Sequence, residues 1–169
     1  MSIVSYRGLS PKIHPSVFIA DGAHIIGDVE IGKDSSVWFN VVIRGDVHFI
    51  KIGEATNIQD NAVLHVTHQT SPLRIGSHVT IGHGAIVHAS TIKDFCLIGM
   101  GAVVLDDAEI GPYALVAAGA VVLAKTVIPE GTLAAGVPAK VVRSLTLEER
   151  KSLAQSAQNY TEYVARYRM

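Results

Sequence analysis

Between Asn57 and His88 the chain gathers the residue types of a metal centre: Asn57-Ile58-Gln59-Asp60, then His65, then Gly82-His83-Gly84-Ala85-Ile86-Val87-His88. Neutral imidazoles suit zinc, iron and cobalt, and three of them on one ion leave a position open, which is the pattern of catalytic rather than structural zinc. Water held at such a position has a pKa of roughly 7 and is a nucleophile at neutral pH. Gln59 offers a donor and an acceptor without charge, so it can orient an oxyanion without quenching the ion. A single histidine on a sheet surface carries no such meaning. His14, His24, His48, His68 and His78 are read as exposed polar residues.

What could bring these residues together is a repeat. Aliphatic residues recur every six positions at Ile19, Ile25, Ile31, Val37 and Ile43, and again at Ile52, Ile58 and Leu64. They return at Ile75, Ile81 and Val87, slip by one residue, and run from Ile92 through Ile98, Val104, Ile110, Val116 and Val122 to Ile128. Glycine often follows, and the fifth position is usually small, Cys96 among them. A unit with one large aliphatic and one small residue reads as a short strand plus a corner, and stacked corners make a parallel β-helix. The pattern resembles the hexapeptide repeat of left-handed β-helices, and that resemblance implies three units per triangular coil. The expected fold class is therefore an all-β solenoid with a C-terminal α-helix. The chain is read as one domain over 1–169, with the β-helix at about 13–142 and the helix at about 146–168. His48-Phe49-Ile50-Lys51 and the stretch from Thr67 to Arg74 interrupt the period and are expected to be corner loops. Pro129 to Lys140 reads as a chain reversal. Thr146 and Glu149 then form a capping box before an apolar stripe of Leu153, Ala157, Tyr160, Val164 and Tyr167.

The bulk numbers fit this and exclude other classes. A chain of 169 residues that is 49% hydrophobic can bury a sizeable core. A formal net charge of -1 gives no electrostatic footprint for nucleic acid or an anionic membrane. One cysteine, no apolar leader and no long apolar run make a cytoplasmic protein the expectation.

Counting units places Ile43, Leu64 and Val87 on one face of successive coils. Their second residues, Arg44, His65 and His88, should form an outward column, with the histidines about 4.8 Å apart along the axis and able to share a metal. His83 lies near a corner of the same coil as His88. Five extended residues span about 16 Å, too far for both to reach one ion at about 2 Å. If all three are ligands, His83 must come from another chain, as three-fold packing of prisms would arrange.

The ordered set Arg44-Gly45-Asp46, Asn57-Ile58-Gln59-Asp60, His65 and His83 to His88 resembles the γ-class carbonic anhydrases, in particular their shorter bacterial and archaeal members. The resemblance implies a homotrimer hydrating CO2 to bicarbonate on zinc, with iron or cobalt as other ions. His65 and His88 would come from one subunit and His83 from its neighbour. It also implies that Gln59 orients the reacting oxygens, that Arg44 and Asp46 make ion pairs between subunits, and that Asp60 supports a ligand or Arg44. Tyr160 matches a helix tyrosine near the site by position alone and reads first as packing; Asn57 reads as a corner residue in a left-handed conformation. The family's proton-transfer glutamates are missing: Val47 and the acid-free stretch from Val66 to Pro72 stand in their places, so a low rate is expected. The same fold also hosts acyltransferases and CoA thioesterases, and a non-catalytic, metal-stabilised assembly protein is a third reading.

Overall fold

Each six-residue unit turns one aliphatic side chain inward, and these stack in register along three columns. One runs Ile25, Ile43, Leu64, Val87, Val104 and Val122. The second runs Ile31, Ile52, Ile75, Ile92, Ile110 and Ile128, and the third Val37, Ile58, Ile81, Ile98, Val116 and Ala134. All are buried, and together they form one continuous core. The computed structural model, which describes residues 1–167, is thus a left-handed parallel β-helix of about seven turns with a helix at Leu147–Tyr167.

The corners explain the rest of the unit. The fourth residue repeatedly takes a positive φ, as at Asp34, Asn40, Ala55, Asn61, His78, Gly84, Phe95 and Tyr113. Such a conformation costs a residue with a Cβ about 1 kcal/mol or more. Asparagine and aspartate tolerate it best, and the bulky exceptions recover something by stacking. His78 lies flat on Phe95 at 4.8 Å, and Phe95 on Tyr113 at 4.7 Å. The fifth residue points into the tight corner, which is why Cys96 and a run of alanines are buried there. Burial pushes the Cys96 thiol up to about 12, so it is a packing group.

The sequence reading needs correction at the first insertion. His48 to Lys51 form no corner loop; Val42–Ile52 is one continuous strand that turns from one face to the next against His24–Ile31. Between the Gly27–Gly45 and Val29–Ile50 pairs, Asp28 alone stands opposite the residues from Asp46 to Phe49. The extra residues stay extended because Ile50 is fully buried and Val47 packs against the core. These two long strands join two faces of the prism into a 12-stranded sheet, while the third face is a separate 8-stranded one. The second insertion is a loop, pinched by a Thr67–Ser71 bridge, but pairing resumes at Leu73, earlier than expected. Parallel pairing also starts sooner, with Ser2–Val4 against His24–Ile31. At the other end Lys140–Ser144 folds back antiparallel on Thr132–Ala135, the expected reversal.

The capping box is present: Glu149 N–H donates to Thr146 Oγ1 at 3.2 Å, and Thr146 N–H to the Glu149 carboxylate at 2.8 Å. The helix then lies along the 8-stranded face, burying Leu153, Ala157 and Val164 against it. No helix among the described residues is long and apolar enough to cross a membrane. Arg143 grips Glu149 with two bonds of 2.8 Å. This grip and the Thr146 N–H lower the Glu149 carboxyl to about 2. A folded-state value below the unfolded one means that the carboxylate's contribution is complete above about pH 4.3 and disappears as pH falls toward 2. Titration of the Glu149 carboxyl by carbon NMR should give a midpoint of about 2, and Arg143→Ala should raise it toward the ordinary glutamate value.

Candidate metal centre

The register places His65 directly against His88 on neighbouring strands, Val63–His65 and Ile86–His88, with Arg44 next in the same column. On the other two faces the equivalent position is often glycine, because a Cβ there would strike the next coil. At Gly99 it would lie 2.4 Å from the Ala118 nitrogen. The histidine face is open at this position, so imidazoles can project from it.

Their ring nitrogens are fixed by carboxylates. Asp46 Oδ1 lies 3.1 Å from His65 Nε2, and Asp106 Oδ1 lies 2.6 Å from His88 Nδ1. Burial opposes ionisation of Asp46, but hydrogen bonds from Arg44, at 2.5 Å, and from His65 outweigh it and hold the carboxyl below its usual range. Asp106 is likewise lowered against burial, by its bonds from Thr67 and His88. Two ionised carboxylates can only accept, so His65 Nε2 and His88 Nδ1 must carry the ring protons. The nitrogens left over, His65 Nδ1 and His88 Nε2, face each other at 3.2 Å. In neutral rings both present lone pairs, and two lone pairs at that distance repel unless a cation lies between them. His65 Nδ1 holds a proton poorly, since burial and the Arg44 charge lower the His65 pKa despite Asp46. Two nitrogens bound tetrahedrally at 2.0 to 2.1 Å from zinc would lie about 3.3 Å apart, so the pair already has the spacing of two ligands.

His83 sits elsewhere. Thr80–Ile81 belongs to the 8-stranded sheet and Ile86–His88 to the 12-stranded one, so His83 projects from the corner between them. Gly82 lets the next coil approach, since a Cβ would meet the Met100 nitrogen at 2.8 Å, and Gly84 makes the turn at φ +65°. Asp60, one coil away, holds His83 Nδ1 at 2.6 Å. Each of the three histidines therefore has an aspartate of its own chain beside one ring nitrogen, and for His65 and His88 the contact is the hydrogen bond that usually supports an imidazole ligand. Among the described residues of one chain, however, no group of three or more His, Cys, Asp or Glu side chains could hold a metal ion.

The amides lie on the His83 side. Gln59 is buried and donates to Asn57 Oδ1 at 3.1 Å; Asn57 donates to Thr80 Oγ1 at 2.9 Å, and Thr80 meets Ser156 of the helix at 3.3 Å. Asn57 is thus no corner residue. It lies in the strand Asn57–Ile58 and is absent from the positive-φ positions, which Ala55 and Asn61 occupy on either side. Tyr160 is half-buried, edge-on to Trp38 at 5.4 Å, and lines a cavity of about 340 Å³ with Gln59, Thr80 and His83. Burial, then the charge of Asp60, raises its phenol further, keeping it protonated. Packing and proximity to Gln59 are both true of it. Arg44 and Asp46 pair within one chain.

Sequence reasoning missed Asp106. It is the third residue of the Val104 unit, one coil beyond His88, and it also accepts from the Thr67 hydroxyl in the loop after His65.

The sequence matches the family described as "Bacterial transferase hexapeptide (six repeats)" over residues 10–45 and 89–124. The two segments flank the histidine stretch and its insertions. The chain is 46% identical over 160 residues to a carbonic anhydrase of Geobacillus kaustophilus, covering 95% of this chain and 87% of that protein. It is also 46% identical to mitochondrial γ carbonic anhydrase 2 of Arabidopsis thaliana over 89% of its length, but spans only 56% of that longer protein. A crystal structure of a hexapeptide transferase family protein from Anaplasma phagocytophilum superposes with a TM-score of 0.94 at 44% identity, covering 98% of this chain and 97% of that one. With a repeat that folds as this β-helix, and with such identity along nearly the whole of a bacterial carbonic anhydrase, the chain belongs to the γ-class carbonic anhydrase family.

Proposed function

We propose that this protein is a metal-dependent carbonic anhydrase that hydrates CO2 reversibly to bicarbonate in a homotrimer. One subunit supplies His65 Nδ1 and His88 Nε2, and the next supplies His83. The observation that carries the reading is that His65 Nδ1 and His88 Nε2 face each other at 3.2 Å while the other nitrogen of each ring meets an aspartate. A zinc ion fits this donor set, and iron(II) or cobalt(II) fits it too.

When bound, the ion supplies the Lewis acidity that makes water nucleophilic toward CO2 at neutral pH. The chain does the rest. Asp46 and Asp106 hold the His65 and His88 imidazoles in the tautomers that leave one nitrogen free, and Asp60 stands beside His83 Nδ1. Arg44 keeps Asp46 ionised and is expected to reach across the interface. Gln59, pinned by Asn57, orients the oxyanion. CO2 itself is small and apolar, and the histidine face flanks its imidazoles with an outward column of Val42, Val63, Ile86, Val103 and Val121. Val63 and Ile86 are 38% and 43% exposed in the single chain, and Met100 at the adjoining corner is 59% exposed. An apolar patch around the half-site suits contact with a second copy. The other face of that sheet presents Lys12, Glu30, Lys51 and Arg74 in register and suits solvent. With Val47 packed on the core, no carboxylate stands there to take the proton, and turnover is expected to be slow.

The test is metal content and stopped-flow CO2 hydration of zinc-loaded and anaerobically iron-loaded protein. About one ion per chain is expected, lost in His65→Ala, His83→Ala and His88→Ala alike. A native assembly that takes up no metal would refute the reading. Uptake without hydration by either form would move the assignment to CoA-ester chemistry or to a structural metal, which acyl-CoA panels would separate.

A further inference from the structure

Asp106 has a second partner whose position links two parts of the fold. Its Oδ1 accepts from His88 Nδ1 at 2.6 Å, and its Oδ2 accepts from the hydroxyl of Thr67. Thr67 opens the loop that interrupts the repeat after His65 and is itself held by its N–H to Ser71 O at 3.1 Å. The carboxylate thus stands between the end of one histidine strand and the ring of the other. The neutral histidine ring in water favours the tautomer with the proton on Nε2. An ionised Asp106 2.6 Å from Nδ1 favours the opposite form, which leaves Nε2 without a proton and aimed at His65 Nδ1 at 3.2 Å.

We propose that Asp106 is a positioning residue for the metal centre. It sets the tautomer and aim of His88, and Thr67 keeps its carboxylate in place, so the loop after His65 controls metal retention without touching the metal. This rests on the metal reading above, but it concerns a proton on a named ring atom and can be tested without the ion. It also gives that inserted loop a task that a corner elsewhere in the solenoid would lack. Thr67 reaches Asp106 across two coils, so shortening the loop would remove the hydroxyl.

The experiment has two readouts on the intact assembly. Long-range proton–nitrogen NMR of the metal-free protein reports which His88 nitrogen is protonated, and chelator competition reports zinc affinity. In the wild type the proton should be on Nδ1. In Asp106→Ala it should move to Nε2, with zinc bound about 10- to 100-fold more weakly. Asp106→Asn keeps an acceptor oxygen and should retain the tautomer with a smaller loss of affinity. Thr67→Val should weaken zinc binding by several-fold, and Thr67→Ser should restore it. The Thr67 pair keeps the test decisive should Asp106→Ala assemble poorly. Asp106→Ala with the proton still on Nδ1, or Thr67→Val with unchanged affinity, would overturn the proposal. A wild type that binds no zinc would instead sink the metal reading, while the tautomer measurement would still decide the role of Asp106.

Discussion

Two inactive variants should rescue each other. On the proposed trimer, His83→Ala and His65→Ala assemblies are each expected to lose metal and activity, because every interface would lack a ligand. Coassembled one to one, a site is intact where a His83→Ala chain presents His65 and His88 to a His65→Ala chain that presents His83. With random assembly this occurs at about a quarter of the interfaces, since each of the two positions is filled correctly about half the time. Hydration should therefore rise from background to about a quarter of the wild-type rate, with metal content rising in step. A site built within one chain predicts no recovery, since each chain lacks one ligand. Mixing His65→Ala with His88→Ala is the control. His65 and His88 stand on the same face of the same chain, so on the proposed arrangement neither order of neighbours can complete a site. Recovery in that control would break the assignment of His65 and His88 to one subunit.

The basis of this prediction was readable in the sequence because it depends on counting. An inward aliphatic every six residues is obligatory in a solenoid core, so the face of each unit follows from arithmetic once the two insertions are set aside. That arithmetic gives the Arg44, His65, His88 column without knowledge of any contact. What it does not give are side-chain bonds between coils that meet outside the core. Asp106 occupies a third position, where residue type is free, and its partner Thr67 lies in an insertion the period cannot place. Asn57 was misread for a different reason. Asparagine does favour left-handed corners, and Asn40 and Asn61 sit in them. But corners fall at the fourth residue, whereas Asn57 immediately precedes the inward Ile58, a strand position by the same count. The insertion at His48 to Lys51 shows the converse error. Its excess length suggested a loop, yet Val47 and Ile50 supply apolar side chains that the core can accept, and hydrophobic continuity outweighed the broken period.

Leu64→Ala should destabilise the metal-free assembly by about 2 to 5 kcal/mol, the usual range for a buried leucine whose site cannot collapse. Leu64 is fully buried, in register between Ile43 and Val87, and immediately precedes His65. Collapse is restricted because the flanking coils are held apart by their own backbone ladders at about 4.8 Å, a spacing side chains cannot shorten. The exposed Lys33–Glu54 pair offers a contrast: breaking it should cost at most about 1 kcal/mol. Urea unfolding at fixed protein concentration measures both, and a Leu64→Ala loss under about 1 kcal/mol would contradict the rigid-ladder account. Saturating metal should mask much of the loss, because a ligand at about 1,000 times its dissociation constant stabilises by about 4 kcal/mol. The masking should be incomplete, however. His65 inherits its position from the strand that Leu64 anchors, so the cavity also loosens one ligand and weakens the binding that would offset it. Leu64→Met, which roughly conserves volume, should cost less than about 1.5 kcal/mol and leave metal affinity near wild type. The difference between these two variants in metal affinity then measures how far the core, rather than the aspartates, sets the aim of the histidines.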